Sequence, residues 1–283
     1  MDSIRIKNLR CLANTGDISI KPLTILVGAE NKCRYPRLII GLAIVFNLAL
    51  VSADELHIAV AANFTMPIEQ LKLMFEEESG HDVIVSAGST GQLYVQIHHG
   101  APYQVFLAAD RKRPNLLVKE GLAVAESLFT YAIGQLLLWS PQTDLVDSNG
   151  KILTTNNFKH LAIAHPKMAP YGAATKQVLE KLGLWQALQS KMVRGNNINQ
   201  AYQFTVTGNA ELGFIAFSQY KVIAKKSRGS HWLVPKEFYD PIRQSAVLIK
   251  QDKNQSAAQA FIKFLRSPPA RQVIKKFGYA LED

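Results

Sequence analysis

At four places in this chain a strand-like segment ends in a short, polar, uncharged loop at the start of a helical pattern. That recurrence constrains the fold more than any other feature of the sequence. The first run, residues 56–62, is broken only by His57 and stops at Asn63-Phe64-Thr65-Met66-Pro67. Apolar residues at Ile68, Leu71 and Phe75 then keep helical spacing. Asn63 or Thr65 can cap that helix, and Pro67 suits its first turn. The second run, 82–86, leads into Ala87-Gly88-Ser89-Thr90-Gly91-Gln92 and a helical stretch over 93–98. The third, 160–165, leads through Pro170-Tyr171-Gly172 into a helix ending near Gly183. The fourth follows Gly195-Asn196-Asn197-Ile198-Asn199, with a helix over 200–206. Each helix start offers free backbone N–H groups and the positive end of a dipole, a combination that favours an anion.

The intervening segments complete an alternation. Residues 103–110 read as a strand, followed by a helix over 114–120 that stops at Gly121. Residues 129–139 are mostly apolar, and their length suggests a strand that leaves one lobe and enters another. Residues 212–217 read as a strand and 218–226 as a helix. Residues 230–239 read as irregular, 241–250 as a return strand, and Ala257, Phe261, Phe264 and Leu265 mark a helix. Alternating strands and helices over this length predict α/β architecture with mainly parallel sheets, in which ligands sit beyond the carboxyl ends of the strands. Four polar loops exceed the need of one lobe. Two lobes facing across a cleft would bring all four together.

None of the four loop tips carries a lysine, arginine or carboxylate; Arg194 is the nearest charge. Such a site holds an anion through hydrogen bonds and helix dipoles alone. It also disfavours a protonated anion such as hydrogen phosphate, whose own proton needs an acceptor. No nucleophile-elbow context and no acid/base pair marks the loops, so an enzyme is not expected. The net charge of +10 lacks a basic stripe with interleaved aromatics, which argues against nucleic-acid binding. His98 and His99 are adjacent on a helix and point apart, and His160 and His165 bracket a strand; all four read as structural. Asp110-Arg111-Lys112-Arg113 reads as a solvated face or a contact with a partner.

The first 53 residues differ from the rest. They hold both cysteines, Cys11 and Cys33, so zinc thiolate and cysteine chemistry are excluded from the body. Arg34 and Arg37 precede residues 38–51, which are apolar but for Asn47, and Val51-Ser52-Ala53 offers small residues to a signal peptidase. Residues 33–53 therefore read as a signal peptide without a lipoprotein cysteine, with the mature chain starting at Asp54. Residues 1–32, through "IKNLR" and "IKPLTILVG", resemble the opening strands of RecF/SMC-like ATPases. The phosphate loop is incomplete: Lys32 is followed by Cys33, so no ATPase is expected.

From residue 55 to the C-terminus the chain resembles the periplasmic molybdate-binding proteins of ABC importers. The resemblance rests on Asn63-Phe64 after the first strand, "GSTG" at 88–91, "GAPYQVFLAAD" at 100–110, "FTYAIG" at 129–134, "APYG" at 169–172 and "GSHW" at 229–232, in that order. It implies a bilobal type II periplasmic-binding-protein fold, with two α/β lobes joined by a two-strand hinge and the ligand in the cleft. Residues 54–133 with 243–283 would form one lobe and 134–242 the other. It implies a monomer that captures molybdate or tungstate without a cofactor and delivers it to a membrane permease; a sulfate receptor or a sensor on the same fold is the alternative. The implied ligand contacts are Asn63, Ser89, Thr90, Tyr171 and the main chain at Ile198. One branch of the family carries a tyrosine after the strand at 212, where this chain has Ala216 and Phe217.

Overall fold

The computed structural model describes residues 55–155, 157–223, 229–251 and 255–282. The expected ATPase-like segment and signal peptide lie outside these residues.

The chain begins with β1 (Glu55–Ala61) and, after a 3-10 turn over Ala62–Phe64, α1 (Thr65–Ser79). Then come β2 (Asp82–Gly88), α2 (Thr90–His98), β3 (Val105–Ala108), α3 (Lys112–Lys119) and β4 (Phe129–Gly134). Only Gln135 separates β4 from β5 (Leu136–Ser140), yet the two belong to different sheets. The apolar run over 129–139 thus crosses between lobes, as its length suggested. The second sheet's segment continues with β6 (Leu161–Ala164), α4 (Pro170–Lys181), β7 (Met192–Gly195), α5 (Ile198–Val206), β8 (Leu212–Ala216), α6 (Phe217–Val222) and β9 (Ser230–Leu233). The chain returns through β10 (Ile242–Leu248) and ends with α7 (Ser256–Leu265) and α8 (Pro268–Lys276).

The sheets have the orders β2-β1-β3-β10-β4 and β7-β6-β8-β5-β9. Each is mixed rather than mainly parallel. Three strands run parallel, and the crossing segments β4, β5 and β10 enter as antiparallel neighbours. The reason is topological: β10 returns against the βα strands of the first sheet and so lies antiparallel to both β3 and β4, and β5 enters the second sheet against β8. The edge strand β9, expected as irregular chain, escapes sequence reading because it is only four residues long and half-exposed; β7, before the fourth loop, is equally short. The register decides where the loops lie. Gly88 pairs with Ala61 and Gly195 with Ala164, so neighbouring parallel strands end level and their loops share one edge of each sheet.

The apolar periodicity of α1, α7 and α8 is satisfied on the first sheet. Phe75 meets Phe261 edge-on at 5.2 Å, and Phe261 is fully buried. A Phe261→Ala variant should lose about 3–5 kcal/mol of unfolding free energy, from lost transfer energy plus the cavity left behind; urea denaturation measures it.

Candidate functional site

The ends of the parallel strands from both sheets converge on one cavity with about 190 Å³ of empty space. Asn63, Ser89, Thr90, Tyr171 and Ile198 all line it, so the five residues expected from sequence meet in one place. Ala61, Ala62, Gly88, Ala109, Ala169, Pro170 and Asn197 complete the wall, and none of the lining residues is ionisable at neutral pH. The 3-10 turn after β1 and the first turns of α2, α4 and α5 all begin here. Their leading N–H groups have no partner within their own helix, so the wall is electropositive without carrying a formal charge.

Each expected side chain has its own local role. Thr90 Oγ1 accepts the Ala109 N–H at 3.1 Å, which leaves its own proton to donate. Ser89 caps α2 by accepting the Gln92 N–H, but its hydroxyl proton goes to Gln92 Oε1 at 2.8 Å. It can donate to a ligand only by leaving Gln92. Asn197 caps α5 through the Gln200 N–H, which sets Ile198 as the first helical residue, its N–H unspent by the helix. Gly172 lets the start of α4 lie against β6: a Cβ there would stand 2.4 Å from the Ala164 carbonyl oxygen.

Asn63 departs from its sequence reading. Neither it nor Thr65 caps α1, whose N-cap is Phe64 with no side-chain bond. The chain leaves β1 through a 3-10 turn first, and this places Asn63 inside the turn with its side chain directed beneath the cavity. There Asn63 Nδ2 donates to Gln244 Oε1 at 2.8 Å and to the Tyr279 hydroxyl at 3.0 Å. Both amide protons are spent, so the side chain has none left to donate to a ligand. Tyr171 is similarly shared: its hydroxyl accepts from Gln244 Nε2 at 3.4 Å and packs on Gly134 in the crossing strand. Tyr131 donates to Gln244 Oε1 at 3.1 Å. Burial raises the Tyr131 and Tyr171 phenols well above their ordinary range. Burial also moves Tyr279 up to about 12, against the opposing pull of its hydrogen bonds. All three are neutral donors at physiological pH.

Gln244, Tyr279, Tyr131 and Ser218 were not singled out from sequence. The available signal was a glutamine within the apolar return strand and a tyrosine just after Gly278; neither has meaning until the fold brings it beneath the cavity.

The lobes touch around the cavity. Gly91 N donates across the cleft to Met168 O at 2.9 Å, and Asn199 Nδ2 donates to Thr65 Oγ1 at 3.2 Å. Arg113 pairs with Asp110 and donates through Nη2 to Lys167 O at 2.7 Å. The Asp110–Arg113 stretch is therefore not simply a solvated face: at the start of α3, Arg113, held by Asp110, reaches the other lobe, while Arg111 and Lys112 are exposed. His98 lies 3.3 Å from Glu120, and His165 Nδ1 accepts the Lys167 N–H, which are structural roles. Among the described residues no group of three or more His, Cys, Asp or Glu could hold a metal ion, and no helix is long and apolar enough to cross a membrane.

A family model described as bacterial extracellular solute-binding protein matches residues 56–280. The molybdate-binding protein ModA of Azotobacter vinelandii is 51% identical over 246 residues, 87% of this chain and 98% of that relative. ModA of Rhodobacter capsulatus is 49% identical, over 86% of this chain and 95% of the relative. The solved periplasmic molybdate-binding protein of A. vinelandii superposes with a TM-score of 0.77 at 43% identity, covering 81% of this chain and all of that one. With two mixed α/β sheets linked at 134–136 and before 242, this is the bilobal type II periplasmic-binding fold.

Gly91→Ala tests the cleft contact. Its Cβ would stand 2.9 Å from Met168 O and 3.1 Å from Arg113 Nη2, so the lobes could not approach as closely. Ligand affinity should fall by about tenfold or more, the equivalent of one strong hydrogen bond, while the ligand-free melting temperature stays near wild type; calorimetry and a thermal melt read the two.

Proposed function

The chain belongs to the bacterial extracellular solute-binding protein family, and from that premise we propose that it captures molybdate, and tungstate with it, in the periplasm and hands the ion to the permease of an ABC importer. The observation that carries this reading is the meeting of four helical N-termini from two lobes at a small cavity lined without any formal charge. The names of the 51% and 49% identical relatives supply the ion.

The chemistry is electrostatic and geometric. A dianion in this cavity accepts N–H groups from loops of both lobes and the Thr90 hydroxyl. Each helix terminus contributes about 0.3–2 kcal/mol. Because the donors come from both lobes, the ion is fully satisfied only when the lobes meet, and the contacts Gly91–Met168 and Asn199–Thr65 then form beside it. That joint form is the one a permease would select over the separated lobes. No carboxylate lines the cavity to take up the proton of hydrogen phosphate, so fully ionised tetrahedral anions are preferred. The ligand contacts are assigned to the main chain at Asn63 and Ile198, to Thr90, to Ser89 after release from Gln92, and to the Tyr171 segment at the start of α4. The protein acts as a monomer, and its export rests on the segment over 33–53.

Titration calorimetry with molybdate, tungstate, sulfate and phosphate tests the reading. Molybdate and tungstate should bind at micromolar concentration or below, and phosphate should not. Absence of molybdate binding, or sulfate binding more tightly, overturns it. Thr90→Ala should weaken molybdate binding by about 10- to 100-fold, the loss expected for one hydrogen bond to a charged group; calorimetry under the same conditions reads it.

A further inference from the structure

Beneath the cavity lies a buried polar cluster that holds the first loop in place and reaches the second lobe. Tyr279 is its centre. Gly278, at φ +86°, turns the chain after α8 so that Tyr279 enters the interior, where it is buried. Ala280 then pairs with Ile133 in both directions, at 2.7 and 3.0 Å, just before the crossing at Gly134. The C-terminal segment is thus fastened to the strand that leaves the first lobe. From there the Tyr279 hydroxyl donates to the Asn63 carbonyl at 2.7 Å and accepts from Asn63 Nδ2 at 3.0 Å. The same hydroxyl lies 2.9 Å from Ser218 Oγ, on α6 of the second sheet's segment, and Ser218 Oγ also donates to the Asn63 carbonyl at 3.2 Å. Gln244 holds the other Asn63 amide proton and extends to Tyr171 on α4.

We propose that Tyr279 is a positioning residue for the oxyanion site: its hydroxyl orients the Asn63 loop and, through Ser218, makes that orientation depend on the second lobe being in place. The inference rests on the oxyanion-receptor reading above. Its physical basis is the accounting of protons. With both Nδ2 protons of Asn63 committed to Gln244 and Tyr279, the side chain serves as an anchor and the main chain faces the ion. When the lobes separate, Ser218 leaves Tyr279 and the Asn63 carbonyl, and the anchor loosens as the ion is released. A bound ion should therefore be held longer than its direct donors alone would hold it.

The Tyr279→Phe variant keeps the ring, which meets Phe64 at 5.3 Å, and removes only the hydroxyl. Stopped-flow kinetics with molybdate should show the dissociation rate raised about tenfold, the loss of the one hydrogen bond, to Ser218, that Tyr279 makes only with the lobes together. The association rate should stay within about threefold, and the ligand-free melting temperature should fall by no more than about 10 °C, since the two hydrogen bonds lost between Tyr279 and Asn63 are both neutral. Ser218→Ala should act in the same direction, and the double variant should lose less than the product of the two single effects, as members of one network do. An unchanged dissociation rate in Tyr279→Phe overturns the proposal. So does strict multiplicativity of the two variants, and so does a loss of affinity seen only with a collapse of ligand-free stability. Failure of the wild-type protein to bind molybdate would instead overturn the receptor reading itself.

Discussion

The structure depends on one electrostatic constraint: a place for an anion built from helix starts rather than from charges. A lysine or arginine would bind an anion from one side and exposed to water. Free N–H groups are weaker singly, and their directions are fixed by the helices that carry them. Enough of them must converge, and one sheet edge supplies too few. The two-sheet arrangement follows, with the parallel strands of each sheet ending level at the cleft. Ala61 opposite Gly88, and Ala164 opposite Gly195, set the loops side by side before any ligand is considered.

The uncharged wall then relies on what lies behind it. Main-chain donors are only as well aimed as their loops are rigid. Here rigidity comes from buried side-chain networks rather than from packing alone. Gln244 is fully buried, and its amide is shared among Asn63, Tyr131 and Tyr171. Desolvation keeps the tyrosines protonated, so their roles as donors do not change with pH near neutrality. The cluster also lies where β4 leaves and β10 enters the first sheet, so it joins the aim of the loops to the relation between the lobes. Cavity and hinge are parts of one polar core.

The reading of particular residues shows how far pattern reaches. Ser89, a serine just before a helical run, caps α2. Asn63 in the same kind of position does not cap α1, since a 3-10 turn intervenes and turns its side chain inward. A local pattern cannot separate these cases, because what differs is the presence of Gln244 and Tyr279, which are 181 and 216 residues away. In the Asp110–Arg113 stretch Arg111 and Lys112 are exposed, but the role of Arg113 as a brace exists only because Lys167 of the other lobe lies beside it.

By itself the sequence determined the alternation of strands and helices, the crossing of residues 129–139 between lobes and the neutral polar character of four helix starts. These are encoded locally, in hydrophobic period, in small residues and in the absence of charge. Through its motifs it also pointed to the family. Only the tertiary structure decided which atoms of those loops face the cavity, that β4, β5 and β10 run against their neighbours, and that the glutamine and tyrosine of the last forty residues stand beneath the site. Those outcomes depend on register and on partners far apart in the chain. A side chain's use of its protons is settled by which acceptors the fold brings within reach.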